Sequence, residues 1–188
     1  AGALPGNAVV CRGLDFNDTQ GDKAVVNYLK QMGAAIHVGD DEIRIAAKDL
    51  RGCEIDLNAT PDALPMMAVL ACFAEGETRL VNVPQAREKE TDRIAVMREE
   101  LSKLGADVEE LRDGLVIRES RLTGATLDSH DDHRVGMSLA IAATQARGVT
   151  TIENAEAMNV TYPTFVESLK SLGGRATTNA DAAKGAPA

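Results

Sequence analysis

Hydrophobic and polar positions alternate between two periods along the chain. Ala8–Arg12, Ala35–Val38 and Glu42–Ala46 are short β-rich runs, and Gln20–Met32 between them reads as a helix ending at Gly33. A glycine there supplies the left-handed residue that stops a helix. Gly39-Asp40-Asp41 predicts a hairpin turn. Cys53–Leu57 predicts a strand, and Pro61 opens a helix running to about Ala74; proline suits a first helical turn. Thr78–Val83 is strand-like. Glu90–Leu104 predicts a helix with Ile94, Met97, Leu101 and Leu104 on one face. Asp107–Leu111 and Leu115–Arg118 predict a second hairpin around Arg112-Asp113-Gly114. Then come a strand at Ala125–Asp128, a helix at Arg134–Ala146, a strand at Val149–Glu153 and a helix at Tyr162–Leu172.

The pattern repeats. Leu29-Lys30-Gln31-Met32-Gly33-Ala34 matches Leu101-Ser102-Lys103-Leu104-Gly105-Ala106 and, more loosely, Leu169-Lys170-Ser171-Leu172-Gly173-Gly174. Asp22-Lys23 corresponds to Asp92-Arg93, and Leu50-x-Gly52 to Leu122-x-Gly124. The matches recur at one nearly constant interval, which makes the architecture a stack of like units. From Cys53 each unit reads β-α-β-α-β-β, so the fold class is α+β (α/β) with repeated βαβαββ units packed as one globular domain. On this reading residues 1–51 are an incomplete first repeat, 52–120 a full one and 121–174 a partial one. Ala1–Leu4 reads as the remaining stub of a helix, and the small polar residues 175–188 as a disordered tail.

Composition narrows the possible functions. The 188 residues are 44% hydrophobic and 26% charged, so the chain can bury an aliphatic core. The longest apolar run, Ala63–Ala74, is too short to cross a bilayer. A net charge of −9 disfavours a nucleic-acid backbone, and 3% aromatics with no Trp remove the usual base-stacking platforms. Three cysteines without CxxC spacing fit reduced thiols in a cytoplasmic protein.

Three charged clusters sit where a strand gives way to a helix, where side chains and free N–H groups face a ligand. In Asn58-Ala59-Thr60-Pro61-Asp62, Asp62 is either a base toward a substrate hydroxyl or an acid favoured by the helix dipole. In Gln85–Arg93, residues Lys89, Glu90 and Arg93 either converge on an anion or form a solvated first turn capped by Thr91 or Glu90. In Ser129-His130-Asp131-Asp132-His133-Arg134, anion binding by Arg134 with His133 as donor is favoured over metal, because no partner cluster has zinc spacing.

In this order the clusters resemble the C-terminal half of the EPSP synthase (3-phosphoshikimate 1-carboxyvinyltransferase) family. The resemblance is carried by Thr60-Pro61-Asp62-Ala63, Arg87-x-Lys89-Glu90-Thr91-Asp92-Arg93, Asp132-His133-Arg134-x-x-Met137 and Thr161-Tyr162-Pro163-x-Phe165. Gln20-Gly21-Asp22 and the repeated Leu-Gly-Ala helix ends add to it. It implies one of two domains, each of three βαβαββ units, with the active site in the cleft between them. It implies transfer of the enolpyruvyl group of phosphoenolpyruvate to the 5-hydroxyl of shikimate 3-phosphate, without metal or organic cofactor. By motif, Asp62 would contact the shikimate hydroxyls and serve as base candidate, and Glu90 would exchange the proton at the enol methylene. Lys89 would assist the hydroxyl and the leaving phosphate. Arg93 and Arg134 would grip phosphoenolpyruvate with His133 beside them, and Gln85 would meet shikimate. Val160 stands where the family often has a lysine, and the N-terminal domain with its further binding residues would be a partner. The chain alone is expected to be inactive. Other readings are a non-catalytic binding module of the same fold, a UDP-sugar enolpyruvyl transferase fragment and an RNA-end cyclase-like protein.

Overall fold

A computed structural model describes residues 1–15 and 19–179. Of the expected tail, residues 175–178 belong to no helix or strand, and 180–188 lie outside the described residues. The first elements are β1 (Ala8–Arg12), α1 (Val25–Gln31, led by a 3-10 turn at Gly21–Ala24), β2 (Ala35–Val38) and β3 (Glu42–Ala46). They form an antiparallel sheet in the order β1-β3-β2. Next come β4 (Glu54–Asp56), α2 (Leu64–Ala71), β5 (Glu77–Val81), α3 (Arg93–Lys103), β6 (Asp107–Leu111) and β7 (Gly114–Arg118). Their sheet runs β4-β5-β7-β6, with β4 and β5 parallel and the other pairs antiparallel. The last elements are β8 (Thr126–Asp128), α4 (His133–Ala143), β9 (Thr151–Glu153) and α5 (Phe165–Ser171), with β8 and β9 parallel. A parallel pair needs a crossover, which α2 and α4 supply.

Helix α2 is the centre of the molecule. Leu64, Pro65 and all of Met67–Ala71 are buried, and the helix packs against both α3 and α4. A helix that is apolar all round belongs in a core rather than at a surface. Helix α3 is amphipathic. Ile94, Met97, Leu101 and the following Leu104 are fully buried, each stabilising the fold by roughly 1.5–3 kcal/mol relative to exposure.

Four helices start later than their patterns suggest, the one expected from Gln20 beginning as the 3-10 turn Gly21–Ala24 before α1 at Val25. The helix expected from Glu90 begins at Arg93, because Asp92 rather than Thr91 or Glu90 is its cap and accepts from the Ala95 N–H at 3.0 Å. Lys89 before it is extended. The helix expected from Tyr162 begins at Phe165, after a 3-10 segment at Ala155–Val160. The helix expected from Pro61 begins as a 3-10 turn, Pro61–Ala63.

Two glycines in the repeat are required by close backbone approach. A Cβ on Gly52 would overlap the Glu77 backbone, and one on Gly124 would overlap the Val149 backbone. Gly124 follows Gly52 by the same interval at which Val149 follows Glu77. These contacts set the spacing at which each parallel strand pair begins. At the other end, β4, β5 and β8 release the chain into α2, α3 and α4, and the charged clusters lie on those connections.

Candidate active site

The charged connections meet at one corner, organised by Arg93. This first residue of α3 has no exposed side-chain surface. Its Nε donates to Asp132 Oδ2 at 2.7 Å, and one terminal nitrogen donates to Asp132 Oδ1 at 3.2 Å. That same nitrogen donates to Glu90 Oε2 at 2.6 Å, and the other donates to Asp62 Oδ1 at 2.8 Å. Asp132 is itself the cap of α4. Its Oδ1 accepts the N–H groups of Arg134 and Val135, which fixes the first turn carrying His133 and Arg134.

Asp62 lies between three cations. Lys89 Nζ is 3.2 Å from Oδ1, and Arg134 Nη2 is 3.2 Å from Oδ2, in addition to the Arg93 contact. Partial burial alone would raise the Asp62 pKa. The Lys89 hydrogen bond and the charges of Arg134, Lys89 and Arg93 outweigh it and hold the carboxyl below the usual value. Burial likewise works against the Arg93 cation, but its bond to Asp132 and the charges of Asp132, Glu90 and Asp62 raise its pKa overall. Glu90 is the most open carboxylate of the group, and its Oε1 lies 3.8 Å from His133 Nδ1.

The three cations and three carboxylates neutralise one another formally. Lys89 and Arg134 are partly exposed and can turn to an incoming anion. The Arg93 guanidinium faces inward, with four hydrogen bonds already made to Asp132, Glu90 and Asp62. The lowered pKa of Asp62 favours its ionised form, which accepts hydrogen bonds and is weakened as a base.

The structure therefore brings together Asp62, Lys89, Glu90, Arg93, His133 and Arg134. Gln85 lies apart from the ion pairs, with its amide nitrogen donating to the Asn58 carbonyl at 2.8 Å and the Asn58 side chain at 3.2 Å. Val160 is 80% exposed at the end of its 3-10 segment and carries no charge to the site. The motif reading includes Asp132 but gives it no role. Its signal was an acid directly before a helical run, the pattern of a cap. Arg87 was also unassigned. It ties the connection before α3 to the β6–β7 hairpin through Asp92, Glu110 and the carbonyls of Leu111 and Arg112.

Elsewhere, Glu99, Glu100 and His130 come within 4.8 Å of one another, the spacing of a metal site. The Lys103 ammonium already bridges Glu99 at 3.1 Å and Glu100 at 2.7 Å, so the carboxylates have a resident cation. An apolar recess over Val9, Ile36 and Ile45 on the first sheet gathers no comparable set of charges.

Repeated sheets around buried helices, with carboxylates and cations at strand ends, are the arrangement of the enolpyruvyl transferase fold, to which two solved structures tie this chain. A solved EPSP synthase from Acinetobacter baumannii superimposes with a TM-score of 0.78 at 30% identity, covering 89% of this chain and 42% of that one. The enolpyruvyl transferase NikO from Streptomyces tendae gives a TM-score of 0.72 at 25% identity, covering 93% and 41%. The profile of EPSP synthase (3-phosphoshikimate 1-carboxyvinyltransferase) matches residues 1–169, and the chain belongs to that family. A 3-phosphoshikimate 1-carboxyvinyltransferase from Ruminiclostridium cellulolyticum is 61% identical over 173 residues, 92% of this chain and 41% of the relative. The chain thus spans well under half the length of the relatives it matches.

Proposed function

We propose that this chain supplies the acid–base half of a 3-phosphoshikimate 1-carboxyvinyltransferase site. The carrying observation is that Glu90, Lys89, Asp62, His133 and Arg134 converge from three strand ends around one buried guanidinium. In this reading phosphoenolpyruvate lies against Lys89, Arg134 and His133, with Arg93 releasing an N–H to it. Shikimate 3-phosphate presents its 5-hydroxyl beside Asp62 and Lys89, with Gln85 at the far side of the ring.

In its protonated form Glu90 gives a proton to the methylene carbon of phosphoenolpyruvate, and the 5-hydroxyl oxygen bonds to the adjacent carbon while losing its own proton. Lys89 relays that proton to a phosphate oxygen of phosphoenolpyruvate, which carries it away when the phosphate leaves. Glu90 then removes a proton from the new methyl group, the carbon–oxygen bond to phosphate breaks, and the double bond returns as an enol ether. Lys89 and Arg134 offset the charge of the departing phosphate. The remaining donors for two anionic substrates come from the part of the relatives that this chain does not span. Three unpaired cysteines, Cys11, Cys53 and Cys72, support placing this chemistry in the reducing cytoplasm. Among the described residues no helix is long and apolar enough to cross a membrane.

The test is recombination. The chain is mixed with the separately produced portion of the Ruminiclostridium cellulolyticum relative that it does not match, and phosphate release is followed with both substrates. Release only in the complete mixture is expected, and Glu90→Gln should lower it about 10²–10⁴-fold. No release from a folded, associated mixture would overturn the reading.

A further inference from the structure

The turn leading into α4 has the opposite backbone sense to its counterpart one repeat earlier. Leu57–Thr60 and Ser129–Asp132 are four-residue turns, each closed by a 3.0 Å bond from the last N–H to the first carbonyl. Asn58 and Ala59 keep negative φ, whereas His130 and Asp131 have φ of 52° and 57°. Two left-handed central residues make a primed turn, which ordinarily calls for Asn-Gly or Gly. Neither residue here is glycine, so something outside the turn must hold it.

Helix α3 provides that hold. Glu100 has no exposed side-chain surface. Its Oε1 lies 2.8 Å from His130 Nε2, and its Oε2 accepts the Asp128 N–H at 3.0 Å. Lys103 Nζ, 2.7 Å from Oε1, keeps the carboxylate paired. Asp128 Oδ1 accepts the His130 N–H at 2.7 Å, and Ser129 Oγ donates to the Asn154 carbonyl at 2.7 Å. Tyr28, one repeat before Glu100, reaches the cap Thr60 instead and leaves the turn's second residue alone. Helix α3 therefore grips the second turn at the first residue of its left-handed pair and just beyond the pair, Glu100 at His130 and Arg93 at Asp132.

We propose that Glu100 and His130 are positioning residues whose hydrogen bond holds the inverted Ser129–Asp132 turn and thereby aims His133 and Arg134 at the Asp62–Glu90 cluster. The positioning is independent of which anion binds; its consequence for phosphoenolpyruvate rests on the function proposed above.

His130→Gly separates tether from strain, because glycine suits a positive φ but cannot reach Glu100. Amide hydrogen exchange is read at Arg134 and Val135, whose N–H groups Asp132 caps, and at Leu139 in mid-helix. In His130→Gly, exchange at Arg134 and Val135 should rise about tenfold while Leu139 is unchanged. His130→Gln, which restores a side-chain donor toward Glu100, should return the rates most of the way. Unchanged rates at Arg134 and Val135 overturn the proposal, and so does an equal rise at Leu139, which marks general loosening. In the recombined enzyme, His130→Gly should raise KM for phosphoenolpyruvate more than it lowers kcat. Faster exchange with an unchanged KM would uphold the tether and overturn the assignment of the cluster to phosphoenolpyruvate.

Discussion

Two helix starts, at equivalent positions of successive repeats, solve the same burial problem with different chemistry. Thr60 precedes α2 and Asp132 precedes α4, and both are buried, at 1% and 0% exposure. Buried polar groups need partners. Thr60 Oγ1 shares a hydrogen bond of 2.9 Å with Tyr28 Oη from α1, while Asp132 takes the Arg93 guanidinium from α3. The neutral pair satisfies burial at low desolvation cost. The ionic pair carries a penalty of several kcal/mol per ion before attraction offsets it. Stability alone would favour the neutral solution at both places. The ionic one appears where Arg93 also reaches Asp62 and Glu90, both open to solvent. The same offset relates Asp62 to Arg134, which face each other with opposite charge at 3.2 Å. A repeated scaffold position can thus be neutral in one copy and chemical in the next.

The largest expected difference between the two starts comes from removing one partner of each pair. Arg93→Met leaves Asp132 buried without its cation and should destabilise the chain by about 3–5 kcal/mol in urea unfolding. Gly52→Ala should cost about 1–3 kcal/mol by the same measurement, because the new Cβ must displace the Glu77 backbone. Gly124→Ala should cost a similar amount, which tests the equivalence of the two units. Tyr28→Phe should cost only about 1 kcal/mol, the worth of one hydrogen bond, and leave the charged corner intact. The smallest effect concerns acid. The Asp62 pKa lies below its ordinary 3.8 in the folded chain, so its contribution is complete above 3.8 and is lost as pH falls through the folded value. In urea melts at falling pH, Asp62→Asn should lose less stability below that point than the parent chain does.

How far the sequence reveals this comparison depends on the range of each interaction. Local signals are strong: Ile94, Met97, Leu101 and Leu104 fall on one buried face as their spacing requires. The strand-to-helix position of the charged clusters follows from turn and cap residues in the same few positions. The Arg93–Asp132 bond joins residues far apart in the chain, and no local pattern announces it. The start of α3 is misread for a local reason, a competition between neighbouring acids for the cap. Glu90 would extend the helix by propensity, but it turns back to Arg93, and Asp92 takes the cap. The inverted turn at His130 and Asp131 is equally hidden, because the residue that holds it, Glu100, lies on another element. One further match was within reach of the repeat. Asp56 pairs with Asn82, and Asp128 with Asn154, each bond 2.9 Å long and each asparagine left-handed after its strand. Carrying the repeat offset a few positions further along the chain exposes both pairs.

The function proposed above requires that the ionic helix start, and not its neutral counterpart, meets phosphoenolpyruvate. Titrating the isotope-labelled chain with phosphoenolpyruvate to roughly millimolar concentration, while following backbone and arginine side-chain NMR signals, tests it directly. The account predicts shifts concentrated at Lys89, Glu90, His133 and Arg134, with Tyr28 and Thr60 unmoved. Shifts centred on Tyr28 and Thr60, or none at the charged corner at saturating ligand, would contradict it.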